Sequence, residues 1–156
     1  MLKKQQDPSR APLWALLAGV CAASLALDLW TKQWVWDTLR PTGDALVLWA
    51  PWLELDFAYN RGSAFGLVAR LDYPIALALL TAALIGWIVA TARAPGAGRL
   101  RFAAAGLVVG GALGNLHDRL LRDDGLGHAG VVDFIRVHLP WGGSWPSFNV
   151  ADAALV

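Results

Sequence analysis

Two stretches of the chain carry no charge over a length that can cross a bilayer, Ala11 to Leu27 and Tyr73 to Ala92. About 20 apolar residues match the ~30 Å hydrocarbon core, and lipid admits only backbone whose polar groups are satisfied internally. Both stretches are therefore expected to be helices. Composition agrees: the 156 residues are 56% hydrophobic and 16% charged, with nine Trp and a mean hydropathy of +0.46. Its 13 basic and 12 acidic residues, bunched in a few segments, cannot furnish the charged surface that a soluble domain of this size needs. A net charge of +1 without an aromatic-interleaved basic stripe sets nucleic-acid binding aside. Cys21 is the only cysteine and lies inside the first apolar run, so no disulfide framework or Cys/His metal cluster is expected.

Lys3, Lys4 and Arg10 before an apolar run also suit a cleavable signal. Cleavage would remove Asp28 to Lys32, however, and Val20 stands where a lipobox wants a small residue before its cysteine. A first helix over about 12–36 is expected instead, with Trp30, Trp34 and Trp36 marking its exit from the bilayer. Residues 37–72 read as a soluble β-region that rests on the membrane, opening on a turn at Pro41-Thr42-Gly43 and continuing in alternating segments at Ala45–Trp49 and Leu53–Tyr59. A second helix is expected over 73–92 and a third over 101–121, with small-xxx-small spacings among Gly106, Gly110, Gly111 and Gly114 for close helix approach. A glycine-rich connection covers 122–147, where Trp141 and Trp145 read as interface anchors, and a fourth apolar helix starts at Phe148 and is incomplete at Val156. The expected whole is a single, mainly α membrane domain over 1–156. Arg93, Arg99 and Arg101, with Lys3, Lys4 and Arg10, place the N-terminus and the connection between the second and third helices in the cytoplasm and the β-region outside.

Polar clusters interrupt this apolar background, and ionisable groups at such positions are costly unless paired or used. Asp28 and Lys32 are four residues apart on one helix face, in the acid-before-base order that favours pairing. Asn60 opens a glycine-bearing turn that runs through Gly62 and Phe65, where it can serve the backbone or a ligand. Asp118 follows Asn115 by about one helical turn and precedes Arg119, so its expected role is pairing. Asp133, within Val131-Val132-Asp133-Phe134-Ile135, and Asp152, within Phe148-Asn149-Val150-Ala151-Asp152, have no local cation. Topology puts all three acids on one membrane face. Two carboxylates brought together out of water share a proton, the arrangement with which aspartic proteases activate water. Spacing alone leaves a dyad, a proton relay and structural pairing open. His117, His128 and His138 lack metal-ligand spacing, and Ser63, Ser144 and Ser147 lack a base partner.

Taken together, Asp28-x-x-x-Lys32, Asn60 to Gly66, Gly110 to Arg119, Val131 to Ile135 and Phe148 to Asp152 resemble, in order and over almost the whole chain, the bacterial lipoprotein signal peptidases, or signal peptidase II. The resemblance implies four transmembrane helices with a small extracytoplasmic β-sheet and a short extracytoplasmic helix. It implies a multi-pass aspartic endopeptidase of the inner membrane, N-terminus in the cytoplasm, monomeric and without cofactor, with its site near the outer face. Its substrates would be diacylglyceryl-modified prolipoproteins, cut before the lipidated cysteine with their acyl chains in membrane lipid, and globomycin would inhibit it. By motif, Asp133 and Asp152 match the catalytic dyad. Asn60, Asn115, Arg119 and Asn149 would orient substrate and carboxylates, Asp28, Lys32 and Asp118 would brace them, and Gly62 and Phe65 would bind substrate or support the site. Arg61 and Ser63 depart from the small or varied residues common in the second motif. The alternative is a small transporter or proton-relay protein built on the same carboxylates, which would need polar groups along the middles of helices 2 and 3, and these are apolar.

Overall fold

The computed structural model describes residues 10–61 and 74–154. Its longest element is α1, Ala11–Thr42, which starts with a proline in its first turn and ends where Gly43 adopts a left-handed φ of 70° and donates its N–H to the Leu39 carbonyl at 2.9 Å. At 1.5 Å per residue it is ~48 Å long, well beyond the ~30 Å of hydrocarbon core. The turn expected at Pro41 is therefore absent. The helix continues past Trp36 because Val35 and Leu39 extend its apolar face and are buried under the sheet. Pro41 lies inside the last turn, where it has no N–H to offer the Asp37 carbonyl, and the helix stops two residues later at Gly43.

Two further helices follow, α2 (Pro74–Ala92) and α3 (Arg99–Leu121). Among the described residues α1 alone is long and apolar enough to cross a membrane by length and composition, and Ala78–Ala92 of α2 is a shorter apolar run. The 23 residues of α3 include Arg99, Arg101 and the polar run from Asn115 to Arg119, so it is less apolar than a free-standing span. Its small residues allow close packing on α1. A Cβ at Gly106 would lie 2.6 Å from the Leu17 carbonyl oxygen, and one at Gly110 2.6 Å from that of Cys21. Ser24 closes the same seam by donating to the Leu107 carbonyl at 3.2 Å. At one end of the bundle Leu17, Ala92, Ala97, Phe102 and Ala105 form a core, with Trp14 edge-on to Phe102 at 5.0 Å. Arg10 donates to the Arg93 carbonyl at 2.9 Å, so the start of α1 and the α2–α3 connection sit together.

Strands β1 (Leu46–Trp49), β2 (Leu53–Asn60) and β3 (Val131–Val137) form an antiparallel sheet in that order. The first two match the alternation read from the sequence. The third was not expected, since residues 122–147 read as an irregular connection. Val131 to Phe134 are buried on both faces, which erases the alternation that marks a half-exposed strand. The strand pairs Leu55 with Ile135 and Ala58 with Asp133, across a bulge. Val132 and Phe134 meet Val35 and Leu39 in a second core, flanked by Trp36, Leu55, Phe57 and Tyr59. Phe148 then bridges to Ile135, donating to its carbonyl at 3.1 Å and accepting from its N–H at 2.8 Å. This delivers the chain to α4, Val150–Ala153, which begins two residues after Phe148. No short helix of the kind the resemblance implies occurs among the described residues of the sheet region and connection, and residues 62–73 lie outside them.

Candidate active site

Strands β2 and β3 and helices α3 and α4 converge where α1 meets the sheet. Asp133 occupies the middle of β3 opposite Ala58, so Asn60, two residues further along β2, shares its face. Asn60 Nδ2 donates to Asp133 Oδ2 at 2.9 Å. Asn149 Nδ2 donates to the other oxygen, Oδ1, at 2.7 Å. Asp133 is 3% exposed. Burial pushes its carboxyl up to about 6; the donors Asn60 and Asn149 and the charge of Lys32 oppose the rise, and the charge of Asp152 adds to it.

Asn149 also positions the second acid. It is the N-cap of α4 in a capping box: its Oδ1 accepts the Asp152 N–H at 3.0 Å, while its own N–H donates to Asp152 Oδ2 at 3.3 Å. One asparagine thus contacts both carboxyl groups. Asn115 of α3 donates through Nδ2 to Asp152 Oδ1 at 3.2 Å and accepts through Oδ1 from Asn149 Nδ2 at 3.2 Å.

Beneath these amides lies a charge network in which Asp28, Lys32 and Asp118 are fully buried. Lys32 Nζ contacts Asp28 Oδ2 at 2.7 Å, Asn115 Oδ1 at 2.6 Å and Asp118 Oδ2 at 3.6 Å. Asp28 reaches α4 through the Ala151 N–H at 3.1 Å. Asp118 accepts the Val132 N–H at 3.2 Å, one residue before Asp133, and Arg122 Nε at 3.0 Å. Two acids thereby face two bases, and no net charge is left unpaired in a medium where that is expensive.

Arg122 is the residue that sequence reading missed. Asp118 was expected to pair with Arg119, but successive helical residues point in different directions, whereas residues four apart share a face. The spacing from Asp118 to Arg122 repeats that from Asp28 to Lys32 and was available as a signal. Arg119 instead donates to the Asn115 carbonyl at 3.2 Å, and the charges it feels most are Asp152 and then Asp133. Trp36, expected at the bilayer exit, meets the guanidinium groups of Arg40 and Arg122, at 3.9 and 4.7 Å from its ring. Arg61 pairs with Asp124. Gly62, Ser63 and Phe65 lie outside the described residues. A surface groove of about 400 Å³ is lined by Gln33, Trp36, His117, Leu121, Arg122 and Asp123 and by neither dyad candidate. Among the described residues no three His, Cys, Asp or Glu gather in a metal-holding group.

The pattern of the family described as signal peptidase (SPase) II matches residues 20–156. A lipoprotein signal peptidase of Xanthomonas oryzae pv. oryzae is 35% identical over 161 residues, covering 99% of this chain and 88% of the relative. One of Methylorubrum extorquens is 40% identical over 156 residues, covering 94% and 80%. Two solved structures of a bacterial membrane enzyme superpose with TM-scores of 0.70 and 0.71 at 26% identity, over 87% of this chain and 77% and 82% of theirs.

Proposed function

The chain belongs to the signal peptidase II family, and from that premise we propose that Asp133 and Asp152 form the dyad of an aspartic endopeptidase. It is a membrane protease that removes signal peptides from prolipoproteins. The observation that supports the dyad is Asn149, which donates to the Asp133 carboxyl through Nδ2 and to the Asp152 carboxyl through its backbone N–H in the capping box. A pair so held, partly out of water and, among the described residues, without a cation salt-bridged to either acid, favours a state with one shared proton.

In the mechanism we infer, Asp133 carries the proton, as its raised affinity favours, and Asp152 is ionised. Asp152 takes a proton from a water between the carboxyl groups, and the water oxygen attacks the scissile carbonyl carbon. Asp133 gives its proton to the developing oxyanion. Collapse of the tetrahedral intermediate breaks the C–N bond, the amide nitrogen takes a proton from Asp152, and the oxyanion's proton returns to Asp133. The signal peptide leaves as a carboxylic acid and the lipoprotein as an amine. Arg119, next to Asn115, supplies positive potential beside both acids.

We also read the substrate as diacylglyceryl-modified, cut before its lipidated cysteine while the acyl chains stay in lipid. In this reading the enzyme is a monomer of the bacterial inner membrane. It crosses with α1, α2, α3 and a helix beginning at α4, and its basic N-terminus is cytoplasmic. The joint position of Arg10 and the α2–α3 connection supports that orientation. Cleavage of a diacylglyceryl-prolipoprotein by purified protein tests the dyad. Asp133→Asn and Asp152→Asn are each expected to lose about 10²–10⁴-fold in rate, and full activity in either overturns the assignment. Globomycin is expected to block the wild type.

A further inference from the structure

Lys32 is completely buried, belongs to neither carboxyl group of the dyad, and makes its shortest contact with a neutral atom. It lies 2.6 Å from Asn115 Oδ1, closer than the 2.7 Å to Asp28. We infer that Lys32 is a positioning residue whose ammonium fixes the orientation of the Asn115 amide, and thereby sets which of its ends faces Asp152. This rests on the dyad reading and goes beyond it, because it assigns the origin of the hydrogen-bond polarity within the site.

An asparagine side chain can turn over and exchange its donor and acceptor ends with little change of shape. An ammonium has three donors and no acceptor, so it tolerates only the oxygen end. With that end held, Asn115 Nδ2 must point at Asp152 Oδ1, 3.2 Å away. Turned over, the amide would set NH₂ against the ammonium and oxygen against the Asp152 carboxylate. The same oxygen accepts Asn149 Nδ2 at 3.2 Å, and Asn149 Nδ2 donates to Asp133 at 2.7 Å. Polarity therefore runs one way: Lys32 anchors the oxygen of Asn115, which presents a donor to Asp152 and an acceptor to the amide that serves Asp133.

Lys32 is itself held. Asp28 and Asp118 balance its charge, and Gly114 leaves the room that lets Asp28 lie against α3, since a Cβ there would collide with Asp28 Oδ2. A residue acting in this way should affect turnover rather than substrate binding, and should do so mainly through Asn115.

The test is a double-mutant cycle on cleavage of a diacylglyceryl-prolipoprotein in detergent, with kcat and KM measured separately. Lys32→Met is expected to lower kcat about tenfold or more, the scale of one hydrogen bond to a charged group, and to leave KM nearly unchanged. Adding Lys32→Met to Asn115→Ala should cost little more than Asn115→Ala alone. Losses that multiply overturn the inference and leave the dyad standing, whereas active Asp133→Asn or Asp152→Asn protein overturns the dyad itself. Should Lys32→Met fail to fold, Asn115→Asp decides. It keeps the shape and an acceptor for Lys32 but removes the donor to Asp152, so kcat should fall at constant KM, and an unchanged kcat overturns the inference.

Discussion

Asp133 shows how burial and function combine in one side chain. Its carboxyl is pushed up to about 6, first by burial, against the donors Asn60 and Asn149. An unfolded chain holds the same proton with a pKa of about 3.9. Between those values the folded protein binds more protons than the unfolded one, so stability falls as pH rises through the window. Thermal melts in detergent should therefore show the wild type losing stability from about pH 4 to about pH 6 more steeply than Asp133→Asn, which has no proton to lose. Parallel curves would refute the shift. Asn60→Ala removes a donor that holds the value down, and should carry the wild-type decline to higher pH. The acids were legible in the sequence because carboxylates amid Val, Phe and Ala stand out. Their partners were less so: Asn149 serves two acids through an α4 cap and a strand contact, and only the bridge from Phe148 to Ile135 brings the two together.

At the scale of elements, the packing of α3 on α1 depends on a glycine stripe that the spacing of residues 106, 110 and 114 announced. What the spacing could not tell is which glycine faces what. Gly106 and Gly110 meet backbone of α1, Gly111 meets Ala151 of α4, and Gly114 meets the Asp28 carboxylate. Gly110→Ala should destabilise by about 1–3 kcal/mol, because helix backbone cannot yield as a side chain can. Gly114→Ala should instead reduce turnover beyond its effect on melting, because it displaces Asp28 and with it Lys32. Gly19→Ala, with open space around its Cβ, should be neutral or slightly stabilising. Melting curves and specific activity of the three proteins distinguish these outcomes. The strand β3 escaped sequence reading for a related reason, since periodicity reports exposure on one face and Val131 to Phe134 have none.

The whole molecule has two apolar cores with the polar site between them. One core, around Leu17 and Phe102, joins the helices at the Arg10 end of α1. The other, around Val35, Leu39, Val132 and Phe134, fastens the sheet to the opposite end of the same helix. Asp28 and Lys32 lie between these two groups along α1, so one rigid helix sets the height of the charge network relative to the strand that carries Asp133. The sequence predicts a membrane helix that stops at Trp36. The structure uses the extra turn and a half to dock the sheet, a tertiary purpose that apolar periodicity alone cannot separate from membrane burial. Truncating the two cores should therefore have different consequences. Leu39→Ala and Phe102→Ala should each destabilise by about 2–5 kcal/mol. Leu39→Ala loosens the support of β3, so the folded fraction should also turn over more slowly because Asp133 is no longer held against Asn149. Phe102→Ala leaves that support intact, and its folded fraction should cleave at the wild-type rate. Activity normalised to folded protein, measured below both melting temperatures, decides it: equal normalised rates for the two variants would mean that the sheet is not positioned by α1.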